Sequence, residues 1–178
     1  MNKNLTNVRP HPRLLDMLFA CKSNISLIFK DVLGLHEINH ISVTRIDHNQ
    51  EILIFSSTPA MEYNLFTGNL WTFDNTWNPA WFQLCTRALW ETLYHPEHYD
   101  ELYYSRQIKH HFSAGLSLAV FEDNAHYIYS LASSMPAPQG LEIFMNNQDD
   151  FGKIGKYCKN LLNPYFMNAG ITEHISIE

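Results

Sequence analysis

The stretch that decides the fold is His111-Phe112-Ser113-Ala114-Gly115-Leu116-Ser117-Leu118-Ala119-Val120-Phe121. Apolar residues recur at every second position of this stretch, which is typical of a β-strand. Large side chains mark one face of the strand, whereas Ser113, Gly115, Ser117 and Ala119 leave most of the other face without bulk. Such a face has room for a neighbouring helix or for a ligand, and the sequence leaves both interpretations open.

The sequence predicts two β-hairpins, and this strand is the first strand of the second one. Residues 125–132 form a return strand after the turn Glu122-Asp123-Asn124, and an earlier hairpin joins residues 40–46 to residues 51–55. Apolar residues at helical spacing, together with capping residues, predict helices between and around the hairpins. The predicted helices cover residues 13–33, 59–68, 79–93, 96–108, 141–145 and 149–162, and Pro164 is expected to end the last one.

This order of elements predicts an α+β fold. An antiparallel sheet of four to five strands would lie between two helical layers, in an α/β/α sandwich of the PAS or GAF kind. A chain of 178 residues has the size of one domain. We expect that domain over residues 13–166, between an N-terminal arm at residues 1–12 and a C-terminal tail at residues 167–178.

The composition excludes several classes of protein. Acidic residues number 18 and basic residues 12, so the net charge of −6 argues against a phosphate-binding surface. The 11 Phe, 9 Tyr and 4 Trp residues exclude a disordered chain. No apolar run approaches the roughly 18 residues of a membrane span. Cys21, Cys85 and Cys158 have no C-x-x-C spacing and are predicted to be buried thiols in a reducing cytoplasm.

The sequence contains no pattern that indicates a cofactor, a metal site or covalent catalysis. Pro96 separates His95 from His98, and the adjacent pair at positions 110 and 111 would point to opposite sides of a strand, so neither pair has metal-ligand spacing. Cys85 is interpreted as a buried thiol on the helix at 79–93. An enzyme that uses Cys85 or a histidine stays open as a minor alternative.

The segment between residues 69 and 97 contains all four tryptophans, Trp71, Trp77, Trp81 and Trp90. Aromatic walls with a few fixed polar groups are typical of small-molecule pockets. We therefore expect this segment to close over the small face of the strand at 111–121. Asp74 has two interpretations: it caps the turn at residues 73–76, or it is a buried carboxylate that accepts a hydrogen bond from a ligand.

One series of motifs runs through the middle of the chain: Thr58-Pro59 after a hairpin, a short helix, then Asn69-Leu70-Trp71-Thr72-Phe73-Asp74, and finally Leu89-Trp90. This series resembles the N-terminal sensor domain of LuxR-type transcriptional regulators. The resemblance covers roughly residues 13–166. It implies an α/β/α sandwich, and quorum-sensing members of that family bind acyl-homoserine lactones between the sheet and one helical layer. It also implies a bacterial, cytoplasmic, non-catalytic domain that dimerises and regulates transcription.

Carried over residue by residue, the resemblance makes Asp74 the acceptor for a ligand amide. The predicted ligand-binding residues are Tyr63, Trp71, Asp74, Trp90, Gly115 and Ser117. Met61 stands where the family has a tryptophan soon after Thr58-Pro59. That departure favours a small apolar ligand other than a lactone, or a pocket that is packed shut.

The helix-turn-helix module of the family has no counterpart before Glu178. We therefore expect no direct nucleic-acid contact and no membrane contact from this chain, which would be a sensor-only protein or a fragment. The leading hypothesis is a small-molecule sensor domain without a cofactor. The alternative is a protein-interaction module or bacterial effector that keeps the fold and binds no ligand.

Overall fold

The computed structural model of the chain describes residues 8–20 and 22–171. A six-stranded sheet with the order β1-β3-β2-β6-β5-β4 forms its centre. The strands are β1 (Arg9–Pro10), β2 (His40–Ile46), β3 (Glu51–Ser56), β4 (Arg87–Leu89), β5 (Ala114–Glu122) and β6 (Ala125–Ser133). Neighbouring strands are antiparallel except β1, which runs parallel to β3.

Helices cover both faces of the sheet. They are α1 (Leu14–Ala20), α2 (Lys22–Lys30), α3 (Pro59–Thr67), α4 (Pro79–Phe82), α5 (Trp90–Leu93), α6 (Tyr99–Tyr103), α7 (Ala137–Asn146) and α8 (Gln148–Ile171). Short 3-10 turns at Leu70–Phe73 and Asn75–Trp77 precede α4, and a π-helical turn at Tyr104–Ile108 follows α6. The α+β class and the two helical layers are thus as predicted, whereas the sheet has one strand more than the four to five expected.

The face of the sheet beneath α7 and α8, called here the helix face, carries large apolar side chains. Tyr129 of β6 lies in register with Val43 of β2 and with Leu118 of β5. Gly155 of α8 lies so close to the ring of Tyr129 that a Cβ atom there would overlap it. This close approach seats α8 directly on the sheet.

The opposite face is covered by α3 and by two segments on either side of β4, residues 69–82 and 90–93, which together we call the lid. Trp77 of the lid donates from Nε1 to Oγ1 of Thr44 on β2 over 3.3 Å. Trp90 lies flat against Gly115 of β5, where a Cβ atom would overlap the indole ring. The lid therefore closes over the small-residue face of the sheet, as the alternation at residues 111–121 predicts.

The strands β1 and β4 have no counterpart among the four strands located in the sequence, and β4 arises where the sequence predicted one helix over residues 79–93. That helix ends at Phe82, and Cys85 adopts a left-handed backbone with φ 50°, which interrupts helical hydrogen bonding. Residues Arg87–Leu89 then pair with β5 along its free edge. Cys85 is exposed, so its predicted burial is wrong; Cys158 is buried as expected, and Cys21 lies outside the described residues.

Contacts near both ends of the described residues go beyond what the sequence predicts. In the arm at residues 1–12, Arg9 donates from its backbone N to the carbonyl of Gln50 over 3.0 Å, so residues 8–12 join the folded unit. Pro164 does not end the last helix, which continues to Ile171. Phe166 explains the continuation, because its ring lies 4.8 Å from that of Phe55 and this buried contact offsets the one hydrogen bond that a helical proline removes. None of the helices among the described residues is long and apolar enough to cross a membrane.

Candidate functional site

A row of four buried serines crosses the sheet beneath the lid. Ser56, Ser42, Ser130 and Ser117 lie side by side on β3, β2, β6 and β5. Oγ of Ser117 and Oγ of Ser130 are 2.9 Å apart, so these two hydroxyls satisfy each other. A buried sheet face lined with hydroxyls is unusual because each polar group needs a partner, and it makes the space under the lid the candidate site.

Trp90 fills the space that Gly115 leaves. The indole is fully buried, and its ring lies edge-on to His40 at a centroid distance of 5.8 Å. The neighbour that the small face of β5 accommodates here is therefore a side chain of the lid itself. A glycine is needed at position 115 because any Cβ atom would overlap the indole.

Arg106 is the charged centre of the site. Its side chain is 1% exposed, its Cζ atom lies 3.9 Å from the centroid of the Trp90 ring, and its Nη1 lies 2.6 Å from Oδ2 of Asp74. Nη1 also donates to Oγ1 of Thr76 over 3.4 Å. The π-helical turn at Tyr104–Ile108 carries this residue, and such widened turns often occur at functional positions. An ion pair with both partners buried in this way is costly to form and strongly destabilising to break.

Asp74 uses its other carboxylate oxygen to close a turn. Oδ1 accepts a hydrogen bond of 2.9 Å from the backbone N of Thr76. The turn-cap interpretation of Asp74 is therefore confirmed. Both carboxylate oxygens have a partner within the chain, one from the backbone and one from Arg106.

His40 and Glu62 form a second pair of titratable residues in the site. Nε2 of His40 lies 3.8 Å from Oε1 of Glu62, and both residues are buried. Burial raises the pKa of Glu62 to about 7, against the opposing hydrogen bond from Ser56 and the charge of Arg106. Burial also lowers the pKa of His40 well below its usual value, and the positive charge of Arg106 lowers it further. At neutral pH the imidazole is thus uncharged, and Glu62 lies close to its midpoint of ionisation.

Four polar atoms in this site have no hydrogen-bond partner among the described residues. They are Nε2 of His40, Oε2 of Glu62, Nε1 of Trp90 and Nε of Arg106. The nitrogens of Trp90 and Arg106 are hydrogen-bond donors, whereas the atoms of His40 and Glu62 accept or donate according to their protonation. An unpaired polar atom inside a protein costs about 1–3 kcal/mol. Such a concentration of unpaired groups in one buried place is typical of a site that binds water or a polar ligand group.

A cleft of about 300 Å³ opens beside this buried cluster. Its walls include Trp71, Thr72, Asp74, Trp77 and Asn78. Asp74 connects the cleft with the interior, because this residue lines the cleft while its buried carboxylate is bound to Arg106. The volume is at the lower end of the range for ligand pockets.

The structure brings four of the six predicted ligand-binding residues together under the lid. Asp74, Trp90, Gly115 and Ser117 belong to the buried site, and Trp71 stacks on Phe66 at 5.2 Å at the mouth of the cleft. Tyr63 lies elsewhere on α3, where it is 40% exposed and contacts Phe19 edge-on at 5.5 Å.

Sequence analysis missed the three charged residues of the site, His40, Glu62 and Arg106. A signal was nevertheless present for two of them. Glu62 stands four residues before the buried Phe66, and Arg106 stands four residues after the buried Leu102, so each occupies a core position of its helix. A charge at a core position indicates a buried partner or a functional role.

Comparison with known proteins gives a likeness of fold. No protein-family model matches the chain, and no curated protein matches it. Among solved structures, the chain is similar to SdiA of Escherichia coli, a LuxR-type quorum-sensing regulator, with 13% identical residues and a TM-score of 0.44. The match covers 71% of this chain and 63% of that one, so the chain spans less than two thirds of SdiA.

Proposed function

We propose that the chain is a small-molecule sensor domain of the LuxR type, whose ligand binds between the sheet and the lid. The observation that carries the proposal is the group of unpaired polar atoms on His40, Glu62, Trp90 and Arg106 under the lid. A ligand that enters along the cleft would bring its apolar body against Trp71 and its polar group towards Asp74. Binding would stabilise the folded state by mass action.

The proposed ligand-binding residues are Trp71, Asp74, Trp90, Gly115 and Ser117, with the cleft as their entrance. Tyr63 is not among them, because it lies elsewhere on α3 and contacts Phe19. The ligand is small, mainly apolar and carries one polar group, because the cleft of about 300 Å³ holds no large molecule. In keeping with the sequence resemblance, the proposed protein is a cytoplasmic homodimer without enzymatic activity. It acts on transcription through a partner or a further module rather than by its own contact with nucleic acid.

Thermal unfolding in the presence of acyl-homoserine lactones and lipophilic extracts tests this function. A binding compound should raise the melting temperature of the wild type and of Trp81→Ala, which removes a lid tryptophan that does not line the cleft. The same compound should give little or no shift with Trp71→Ala, which removes the partly exposed wall of the cleft. If no compound shifts the wild type, or if Trp71→Ala responds like Trp81→Ala, the proposal is wrong.

A second function is favoured by the way in which the site is filled. Trp90 occupies the space at Gly115, and Arg106 neutralises Asp74. These contacts suit a protein-interaction module that retains the fold without a ligand. Such a module should show no thermal shift with any compound, although it should retain the Arg106–Asp74 ion pair.

A further inference from the structure

A second groove, of about 510 Å³, lies on the helix face of the sheet, where β4 and β5 meet the first turns of α8. Its apolar side is formed by Leu118, Val120 and Tyr129. Leu118 and Tyr129 are themselves buried, so their side chains give the groove a firm apolar floor. The Trp-rich lid takes no part in this groove, which is separate from the site proposed above.

Basic side chains surround the groove. Arg87 comes from the edge strand β4, and Lys153 and Lys156 come from α8. Lys156 is committed to Glu122, since its Nζ lies 3.2 Å from Oε1 of that residue. Glu122 also accepts a hydrogen bond of 2.6 Å from Lys159, and these two lysines lower the pKa of its carboxyl.

Arg87 and Lys153 have no ion-pair partner in the part of the chain that the structure describes. The only other acidic residue in the described lining is Asp149. The groove thus presents two uncommitted cations against one carboxylate, on a chain whose net charge is −6. A local excess of positive charge on an acidic protein favours an anionic ligand.

Two glycines of α8 shape the groove. Gly155 lets the helix approach Tyr129 closely, whereas a Cβ atom at Gly152 would meet nothing within 4 Å. Gly152 therefore adds free space where α8 lines the groove. A glycine inside a helix costs about 1 kcal/mol relative to alanine, and no packing contact at position 152 requires it.

We infer that this groove binds a small amphiphilic anion. The apolar body would lie on Leu118, Val120 and Tyr129, and a carboxylate head would lie between Arg87 and Lys153. The occupant is a small molecule rather than a protein segment, because a volume of about 510 Å³ is typical of small-molecule pockets. This inference does not depend on the function proposed for the lid site.

Cys85 provides the readout, because this exposed thiol lines the same groove. The alkylation rate of the Cys85 peptide, followed by mass spectrometry, should fall when decanoate binds and covers it. Decanol, which has the same chain length without the charge, should protect only weakly. The double variant Arg87→Gln, Lys153→Gln should weaken protection by decanoate about tenfold or more, since charge-assisted hydrogen bonds are lost.

Two further variants distinguish this site from general adsorption of a detergent-like acid. Gly152→Leu should abolish protection by filling the groove, whereas Lys109→Gln removes an exposed charge outside it and should leave protection unchanged. Each variant is checked for cooperative unfolding with no loss of stability. Equal protection by decanol would show that the groove does not select anions. Protection that survives Gly152→Leu would show that the acid adsorbs elsewhere and not in the groove. The absence of protection by decanoate would likewise overturn the inference.

Discussion

Arg106 and Asp74 form an ion pair of 2.6 Å in which both side chains are almost completely buried. The guanidinium lies over the ring of Trp90, and its Nη1 points at the carboxylate. Because two ions have been removed from water together, each is stable there only in the presence of the other. The pair therefore holds the segment after α6 to the lid.

Replacing one partner of this ion pair should lower the free energy of unfolding strongly. We expect Arg106→Met to destabilise the protein by about 3–5 kcal/mol, because Asp74 is then a buried charge without its partner. The double variant Arg106→Met, Asp74→Asn should be more stable than the sum of the single changes predicts. Urea unfolding measures both effects, and Arg87→Met, on an exposed residue, serves as the control. If the changes in unfolding free energy of the two single variants add up to that of the double variant, the ion pair does not couple these residues.

Two glycine substitutions should have opposite effects. Gly115→Ala forces a Cβ atom into the indole of Trp90, and overpacking of this kind costs about 1–3 kcal/mol. Gly152→Ala places a Cβ atom in open space on α8 and should stabilise the protein by up to about 1 kcal/mol through helix propensity. Thermal unfolding of the two variants compares them directly. A neutral Gly115→Ala would mean that the lid does not hold Trp90 against the sheet.

The elements with strong local patterns were predictable from the sequence. The strand at 40–46 follows from its β-branched alternation, and the helix after Pro59 follows from its N-terminal proline and from Gly68 at its end. The predictions of a helix end at Pro164 and of one helix over residues 79–93 were wrong for the same reason, because tertiary contacts outweighed local propensity. Phe166 packs against Phe55 beyond the proline, and the edge of β5 offers hydrogen bonds that residues 87–89 use in place of a helix.

The site was predictable in part. The small face of β5 and the cluster of tryptophans indicated a lid, and the structure places Trp90 on Gly115. The core positions of Glu62 and Arg106 indicated burial, but their meeting with His40 was not predictable, because the three residues lie far apart in sequence. The serine row also depends on strand register, which a single strand does not reveal.

The two described cysteines should differ strongly in reactivity. Cys85 is exposed, whereas burial raises the pKa of Cys158 to about 12. Since the thiolate is the reactive form, iodoacetamide at neutral pH should alkylate Cys85 and spare Cys158 until the protein unfolds. Peptide mapping by mass spectrometry measures each site separately. An alkylation rate of Cys85 at neutral pH that far exceeds the rate of free cysteine would instead support the enzyme alternative, because a catalytic thiol is activated by its surroundings.

Glu62 should make stability depend on pH. Its pKa is raised in the folded protein from 4.5 to about 7, so the folded state holds the proton more tightly than the unfolded state does. The corresponding stability is fully present below the unfolded pKa of 4.5 and is lost as pH rises through about 7, with a total of roughly 3 kcal/mol. His40 has the opposite effect: its lowered pKa removes stability as pH falls below 6.5.

Glu62→Gln separates the two contributions, because glutamine resembles the protonated acid and does not titrate. At about pH 5 the variant and the wild type should have similar free energies of unfolding. At about pH 8.5 the wild type should be the less stable of the two, because it then carries a buried negative charge beside the neutral His40. Urea unfolding across this range gives the difference directly, and Glu142→Gln, an exposed residue of α7, is the control. A difference that does not change with pH would mean that Glu62 titrates in the folded protein as it does in water.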